Sequence, residues 1–210
     1  MYTPRAFAED DLEGLDWLLA RDPFLTLVTT GEDGLPFASH LPVLYTRSQD
    51  QISLRGHWAR PNPQAIHAGP ALAIVNGPHH YISADWYPDK SQASRVPTWN
   101  YASAHLYGHL EPTEQTSDLA DIVSALAEHF EPQVGGRWRF DPSNPREIAQ
   151  LRGIIGFNFH VDRVELKFKL NQNHPAANVQ AVASALQQQT VSTADEVANL
   201  MLGRLQRRQD

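Results

Sequence analysis

The stretch that decides the fold is residues 24–57, FLTLVTTGEDGLPFASHLPVLYTRSQDQISLRGH. It contains three runs of the β-branched and apolar residues that are typical of strands: Phe24 to Thr30, Phe37 to Tyr45 and Gln51 to His57. Gly31 to Gly34 and the polar residues Arg47 to Asp50 form the turns between them. Because such short linkers leave no room for a helical crossover, the stretch predicts a meander of antiparallel hairpins.

Four further strands are predicted after this meander. Residues 71–75 and 80–83 are strand-like, and Asn76-Gly77-Pro78 predicts a turn between them. Thr98 to Leu110 alternates with period two, and a final strand lies within Ile154 to Leu170. One face of the alternating strand carries Trp99, Tyr101, Ser103, His105 and Tyr107.

Capping residues and apolar spacing predict helices around these strands. Asp10 or Asp11 caps a short helix that Asp22-Pro23 stops, and Pro61 opens another that ends at His67. Thr116 or Ser117 caps a longer helix, Pro145 opens a helix that ends near Gly153, and two helices complete the chain. The last of these carries a capping box formed by Thr193 and Glu196.

Antiparallel strands interrupted by helices predict an α+β protein with a barrel-like sheet, rather than a doubly wound fold. Closing the sheet removes the exposed edges that an open meander would present. We predict a barrel domain over residues 1–170 and a C-terminal helical extension over residues 171–210 that packs on it.

Composition narrows the class of protein. The chain has 210 residues, no cysteine and no apolar run near the roughly 20 residues that span a bilayer, so we expect a cytoplasmic protein without membrane contact. Direct DNA binding normally needs a basic face. With a formal net charge of −7, the chain supports direct DNA binding only weakly. The cluster of Arg204, Arg207 and Arg208 is interpreted as cations that complement the end of the last helix, with a DNA-binding arm as the alternative.

The segment Leu54 to Pro63, LRGHWARPNP, is the most informative motif. His57 ends a strand, and Arg60 lies beside a helix start whose N–H groups favour an anion. A guanidinium, an imidazole and a helix N-terminus predict a phosphate pocket. The alternative is that Arg55 and Arg60 are solvated surface charges and His57 a strand-end residue without a ligand.

Two other segments carry candidate ligand contacts. Val96 to Tyr101 combines flat aromatic rings with amide and hydroxyl groups, which suits a planar heterocycle. The alternative is that Trp99 and Tyr101 belong to the core or to a dimer interface. Lys167 to Asn173 presents lysines at a strand end that could contact a phosphate or a negatively charged flavin ring, or could simply protect a strand edge.

Several classes of site are disfavoured by the sequence. The ten histidines lack metal-site spacing such as HExxH, so no metal is predicted. No glycine-rich phosphate loop, GxSxG elbow or thiol nucleophile is present. If the chain is an enzyme, an external redox cofactor must carry the chemistry.

Taken together, these segments resemble the PaiB family of FMN-binding negative transcriptional regulators. The resemblance runs in order along nearly the whole chain. It is carried by residues 1–4, 34–35, 38–42, 56–64, 77–83, 86–88, 96–101, 156–157 and 167–173.

The resemblance implies the split β-barrel of pyridoxamine-phosphate-oxidase-like flavoproteins, as a homodimer with FMN at its interface. It implies that His57, Arg60 and Asn62 hold the FMN phosphate. It also implies that the strand around Ser39, His40 and Leu41 lies along the flavin ring, and that Trp99, Asn100 and Lys169 come from other parts of the interface.

Two alternatives to a PaiB-type regulator stay open at this point. The same barrel suits an FMN-dependent oxidoreductase that acts on a small molecule, because a fold does not fix a function. The abundance of histidine leaves a haem-binding split-barrel protein as a further alternative. Whether the chain is an enzyme is not decided by its sequence.

Overall fold

The computed structural model describes residues 1–207, so Arg208 lies outside the described residues. Its strands are β1 (Ala8–Glu9), β2 (Phe24–Thr30), β3 (Pro36–Pro42), β4 (Leu44–Ser48), β5 (Gln51–Ala59), β6 (Gly69–Ile82), β7 (Thr98–Thr113) and β8 (Ile154–Lys169). Its helices are α1 (Glu13–Arg21), α2 (Thr116–Phe130), α3 (Pro145–Gln150), α4 (Ala176–Leu186) and α5 (Ser192–Gln206). Short 3₁₀ turns lie at Arg5–Phe7, Pro63–Ile66, Ala84–Trp86, Glu131–Val134 and Leu151–Gly153. The predicted α+β class is confirmed.

The strands form a sheet in the order β3-β2-β6-β7-β8-β5-β4, and β1 pairs with β8 outside this path. Antiparallel registers join β2 to β3 and β6, and join β5 to β4 and β8. In these registers Leu27 faces Ser39, and Trp58 faces Ile155. The hairpins predicted for residues 24–57 are confirmed, and β3 and β4 lie at the two ends of the strand order.

The described chain divides into two compact units. The first unit contains Met1–Leu18, Asn76–Ala104 and the described residues from Glu165 onward, and the second contains Leu19–Val75 and His105–Val164. The domain boundary near residue 170 stays a prediction. Buried apolar side chains of the first unit include Leu15, Leu18, Ile82, Phe168, Val182, Leu186 and Met201, and those of the second include Leu27, Leu54, Trp58, Leu106, Leu110, Phe157 and Phe159.

Two strand predictions were wrong. The run from Phe37 to Tyr45 is two strands, because β3 ends at Pro42 and the next amide, of Val43, donates to the carbonyl of Pro23. The segment around Gly77 lies inside the continuous strand β6 instead of forming a turn. A Cβ on Gly77 would lie 2.9 Å from the carbonyl oxygen of Ala102, so the glycine allows a close approach of backbone rather than a reversal.

Helix starts follow the predictions only in part. Asp11 does cap α1, since its carboxylate accepts the amide hydrogen of Glu13 at 2.9 Å. The N-cap of α2 is Gln115 rather than Thr116 or Ser117, and the N-cap of α5 is Val191 rather than Thr193. In both helices the predicted cap residue already lies within the first turn, and a residue before it occupies the N-cap position. The short helix predicted at Pro61 is a single 3₁₀ turn, Pro63–Ile66.

No helix within residues 1–207 combines the length and the apolar character that crossing a bilayer requires. In that same part of the chain, no three or more His, Cys, Asp or Glu side chains are grouped so that they could hold a metal ion.

Two glycine substitutions should change stability in opposite directions. A methyl group on Gly108 would overlap the carbonyl oxygen of His160, so we expect Gly108→Ala to lower the free energy of unfolding by about 2–4 kcal/mol. A methyl group on Gly203, within α5, meets no described atom within 4 Å, so Gly203→Ala should raise the free energy of unfolding by about 0.5–1 kcal/mol. Urea denaturation measures both, and equal midpoints for the two variants would contradict the strand packing.

Candidate functional site

The side chain of Gln64 organises one end of the second unit. It is fully buried, and its Oε1 accepts the indole hydrogen of Trp58 at 3.0 Å. Its Nε2 donates to the carbonyl of Leu27 at 2.9 Å, to the hydroxyl of Thr29 at 3.1 Å and to the carbonyl of Phe37 at 3.1 Å. One amide therefore joins the end of β5 to β2 and β3.

Asn62 and Ser39, two of the predicted site residues, are brought together beside this amide. Asn62 Nδ2 donates to Ser39 Oγ at 2.9 Å, and Asn62 Oδ1 accepts the backbone hydrogen of Gln64 at 2.9 Å. The backbone amide of Ala65 donates to the carbonyl of Asn62, and Pro63 has no N–H. The first amides of the 3₁₀ turn are thus already paired, so the prediction of a free helix N-terminus for a phosphate was wrong.

The strand that carries His40 and Leu41 lies at an edge of the sheet. β3 ends the strand order and pairs with β2, so its other side is an edge, where backbone groups are available to a ligand. Leu41 is buried, whereas His40 is exposed, stacks on Phe24 and shares a 3.0 Å hydrogen bond between its Nδ1 and the hydroxyl of Thr26. The geometry suits contact through the backbone.

His57 faces away from Gln64. Its neighbour Trp58 is fully buried and packs on Phe157, with ring centroids 4.6 Å apart, and the alternation of β5 turns His57 to the opposite side. There His57 lines a pocket of about 480 Å³ beside Leu151 and Ile154. Burial lowers the pKa of His57, which favours its neutral form.

Arg60 is exposed, and its guanidinium already has three partners. Nη1 forms an ion pair with Glu114 at 2.7 Å, Nε donates to the carbonyl of Arg152 at 2.6 Å, and Nη2 donates to the carbonyl of Ile154 at 3.1 Å. The ion pair is open to solvent, since the side chains of Arg60 and Glu114 are 40% and 64% exposed. His57, Arg60 and Asn62 therefore have separate contacts in the described chain and do not converge on one point.

Trp99 and Lys169 form a second group, in the first unit. Trp99 is 53% exposed and packs edge-to-face on Tyr81, with ring centroids 5.9 Å apart. Lys169 Nζ donates to the carbonyl of Trp99 at 2.9 Å and to the hydroxyl of Thr98. Burial, reinforced by the charge of Lys167, lowers the pKa of Lys169.

Asn100 is placed differently from the expectation of a direct ligand contact. Its side chain is fully buried, and Nδ2 donates to the sulfur of Met201 on α5 at 3.3 Å. A side chain in this position influences a ligand only through its neighbours. Whether the Trp99 group and the Ser39–Asn62 group contact the same ligand stays a prediction.

The sequence predictions missed the roles of two polar groups. Gln64 follows the motif that was selected for His57, Arg60 and Asn62. The one signal for its role is that it is a polar residue at a buried position. In the first unit, Asn171 adopts a positive φ of 59° and donates to the hydroxyl of Tyr87 at 2.9 Å. His174 stacks on that tyrosine with ring centroids 5.0 Å apart.

A family model and a relative both match the chain over most of its length. Residues 1–163 match the family described as "Putative FMN-binding domain". The chain is 32% identical over 211 residues to the protease synthase and sporulation protein PAI 2 of Bacillus subtilis, with 99% of each chain covered.

Two solved structures share the fold. The FAD and haem binding protein from Mycobacterium smegmatis has a TM-score of 0.56 at 21% identity, over 77% of this chain and 73% of that one. The flavocytochrome Anf3 from Azotobacter vinelandii has a TM-score of 0.56 at 16% identity, over 80% and 72%. The similarity confirms the predicted split barrel.

Removing the amide of Gln64 should destabilise the second unit. Gln64→Leu keeps an apolar side chain in place but leaves the indole N–H of Trp58 without its partner and removes the hydrogen bonds to the carbonyls of Leu27 and Phe37. At about 1–3 kcal/mol for each buried unpaired group, partly relieved by relaxation, we expect the free energy of unfolding to fall by about 2–4 kcal/mol. Urea denaturation followed by tryptophan fluorescence measures the change. Gln180→Leu, at an exposed position of α4, is the matched control, and an equal effect of both would refute the role of the network.

Proposed function

Because this chain belongs to the FMN-binding domain family, we propose that it is a cytoplasmic, homodimeric flavoprotein of PaiB type that acts as a negative regulator of transcription. The family match confirms both the resemblance found in the sequence and FMN as the predicted cofactor. The observation that carries the site is the Ser39–Asn62 hydrogen bond, which joins an edge strand to the turn that follows Arg60.

The residues of the second unit fit the polar parts of FMN. Ser39 Oγ accepts the hydrogen of Asn62, which leaves its hydroxyl proton to donate to a ligand. An exposed ion pair such as Arg60–Glu114 is worth only about 0.2–1 kcal/mol, whereas hydrogen bonds to charged groups are worth about 1.5–3 kcal/mol. Little free energy therefore opposes the exchange of Glu114 for a phosphate as the partner of Arg60, and a phosphate offers more charge and more acceptor oxygens than a carboxylate.

The flavin ring would lie along the backbone of residues 39–41 and would contact the aromatic side chains of Trp99 and Tyr81 from a second copy of the chain. An exposed Trp99 beside Tyr81, itself 45% exposed, is the kind of surface that a partner subunit covers. Lys169, held against the carbonyl of Trp99, would bring a positive charge near the ring. FMN, when bound, supplies a group that accepts and returns electrons.

The regulatory part of the proposal rests on the name of the Bacillus subtilis relative, which links that protein to protease synthesis and sporulation. The charge distribution favours control through another molecule rather than direct DNA contact. The formal net charge is −7, and the guanidinium of Arg204 forms an ion pair with Glu9.

Substitutions at the Arg60–Glu114 pair should move FMN affinity in opposite directions. Arg60→Ala removes the proposed phosphate donor and should weaken binding by about 1.5–3 kcal/mol, about 10- to 150-fold. Glu114→Gln removes the competing carboxylate and should strengthen binding about two- to fivefold. Quenching of flavin fluorescence measures both affinities. Loss of affinity in both variants would mean that the ion pair is structural and that Arg60 does not contact the phosphate.

Gel-shift assays test the mode of regulation. We expect the purified chain to leave the DNA upstream of its own coding sequence unshifted at physiological salt, with and without FMN, because it lacks the basic excess that phosphate contacts need. A shift that is competed away only by unlabelled DNA of the same sequence would show specific binding, and hence direct repression. Repeating the assay at low salt separates specific binding from non-specific attraction.

A further inference from the structure

We propose that the second unit contains a separate binding site for a small, uncharged aromatic molecule that bears one hydroxyl or N–H group. The site is the pocket of about 480 Å³ that is lined by His57, Val123, Trp138, Phe140, Leu151 and Ile154, and we call it the His57 pocket. Its volume falls within the range of about 300–1,000 Å³ that is usual for small-molecule sites.

The walls of the His57 pocket are mainly apolar, with Glu147 and Gln150 as the polar residues beside His57. Phe140 and Leu151 are buried in a hydrophobic cluster, and Val123 and Ile154 pack against that cluster while remaining partly accessible. Trp138 is 48% exposed and offers an aromatic face at the rim. Binding of an apolar ligand against these walls is favourable, because it removes apolar surface of the ligand and of the protein from water.

A ring nitrogen of His57, which lines the pocket, lacks a partner among the described residues. Nδ1 of His57 is buried and makes no hydrogen bond to any described residue. A buried polar atom without a partner is costly, and most such atoms in native proteins are paired. Neighbouring atoms cover Nδ1, so a ligand hydroxyl would reach it when the imidazole ring rotates toward the pocket. The hydroxyl would then satisfy Nδ1 in either tautomer of the ring, because a hydroxyl can both donate and accept.

The charges around the pocket favour a neutral ligand. The carboxylate of Glu147 accepts hydrogen bonds from the backbone of Asp141 at 2.8 Å and from the amide of Asn144 at 2.9 Å, so both of its oxygens already have a donor, and its negative charge disfavours an anionic ligand. Arg60 is not among the residues that line the pocket, and burial lowers the pKa of His57, which favours its neutral form. An anion such as the FMN phosphate would find no cation here, which separates this site from the proposed flavin site.

Binding of 2-naphthol, with naphthalene as the matched probe that lacks the hydroxyl, tests the site. Titration calorimetry and quenching of tryptophan fluorescence should show binding of both probes at one site per chain. A hydrogen bond to Nδ1 is expected to make 2-naphthol bind about two- to tenfold more tightly than naphthalene. His57→Phe should remove this preference, and His160→Phe, the same change at an exposed position of β8, should keep it.

A second variant and a competition experiment complete the test. Val123→Phe fills the partly accessible wall and should abolish binding of both probes, and circular dichroism confirms that each variant is folded. Failure of the wild-type protein to bind 2-naphthol, or an unchanged preference in folded His57→Phe, would overturn the proposal. Competitive displacement of 2-naphthol by FMN would also overturn it, because the pocket would then belong to the flavin site. Loss of FMN binding alone would contradict the proposed function and leave this site standing.

Discussion

The buried side-chain amide of Gln64 is the interaction on which the arrangement of the candidate site depends. It holds the end of β5 against β2 and β3 through Trp58, Leu27, Thr29 and Phe37. Displacing the turn would leave several polar groups buried without partners, a penalty much larger than the net value of any one hydrogen bond. The turn therefore has one strongly preferred position, and Asn62 reaches Ser39 as a result.

This constraint explains why neighbouring residues of one motif face different surroundings. Alternation along β5 sends Trp58 into the core and His57 to the opposite side, where α2, the segment of residues 138–140 and the segment from Leu151 to Ile154 contribute to the pocket walls. After Ala59 the chain reverses, which places Arg60 beside Glu114 and returns Asn62 to β3. A motif that is continuous in sequence thus supplies one polar contact to the edge strand and another to a mainly apolar pocket.

The sequence predicted most of what depends on local patterns. The hairpins of the 24–57 stretch, the Asp11 cap and the alternation of β7 follow from turn residues, capping chemistry and period two. Contacts between distant residues could not be predicted this way. Arg60 meets Glu114, 54 residues away, and Asn100 meets Met201, 101 residues away; neither has a local signal. Gly77 misled the strand prediction because a glycine needed for close packing looks the same in sequence as a glycine needed for a turn. Cofactor and family came from the order of the motifs rather than from any predicted geometry.

The segment from Leu151 to Ile154 connects the two proposed sites physically. The side chains of Leu151 and Ile154 line the His57 pocket, while the carbonyls of Arg152 and Ile154 hold the guanidinium of Arg60. The Gln64 network leaves the turn itself little freedom, so a molecule in the pocket would act on Arg60 mainly by shifting these carbonyls. Linkage requires that such an effect be reciprocal: whatever the pocket ligand does to the affinity for FMN, FMN must do to the affinity for the pocket ligand. Through the four residues from Leu151 to Ile154, the protein would respond both to FMN and to a small neutral molecule. This coupling would give a PaiB-type regulator a structural reason to have a pocket that the flavin does not fill.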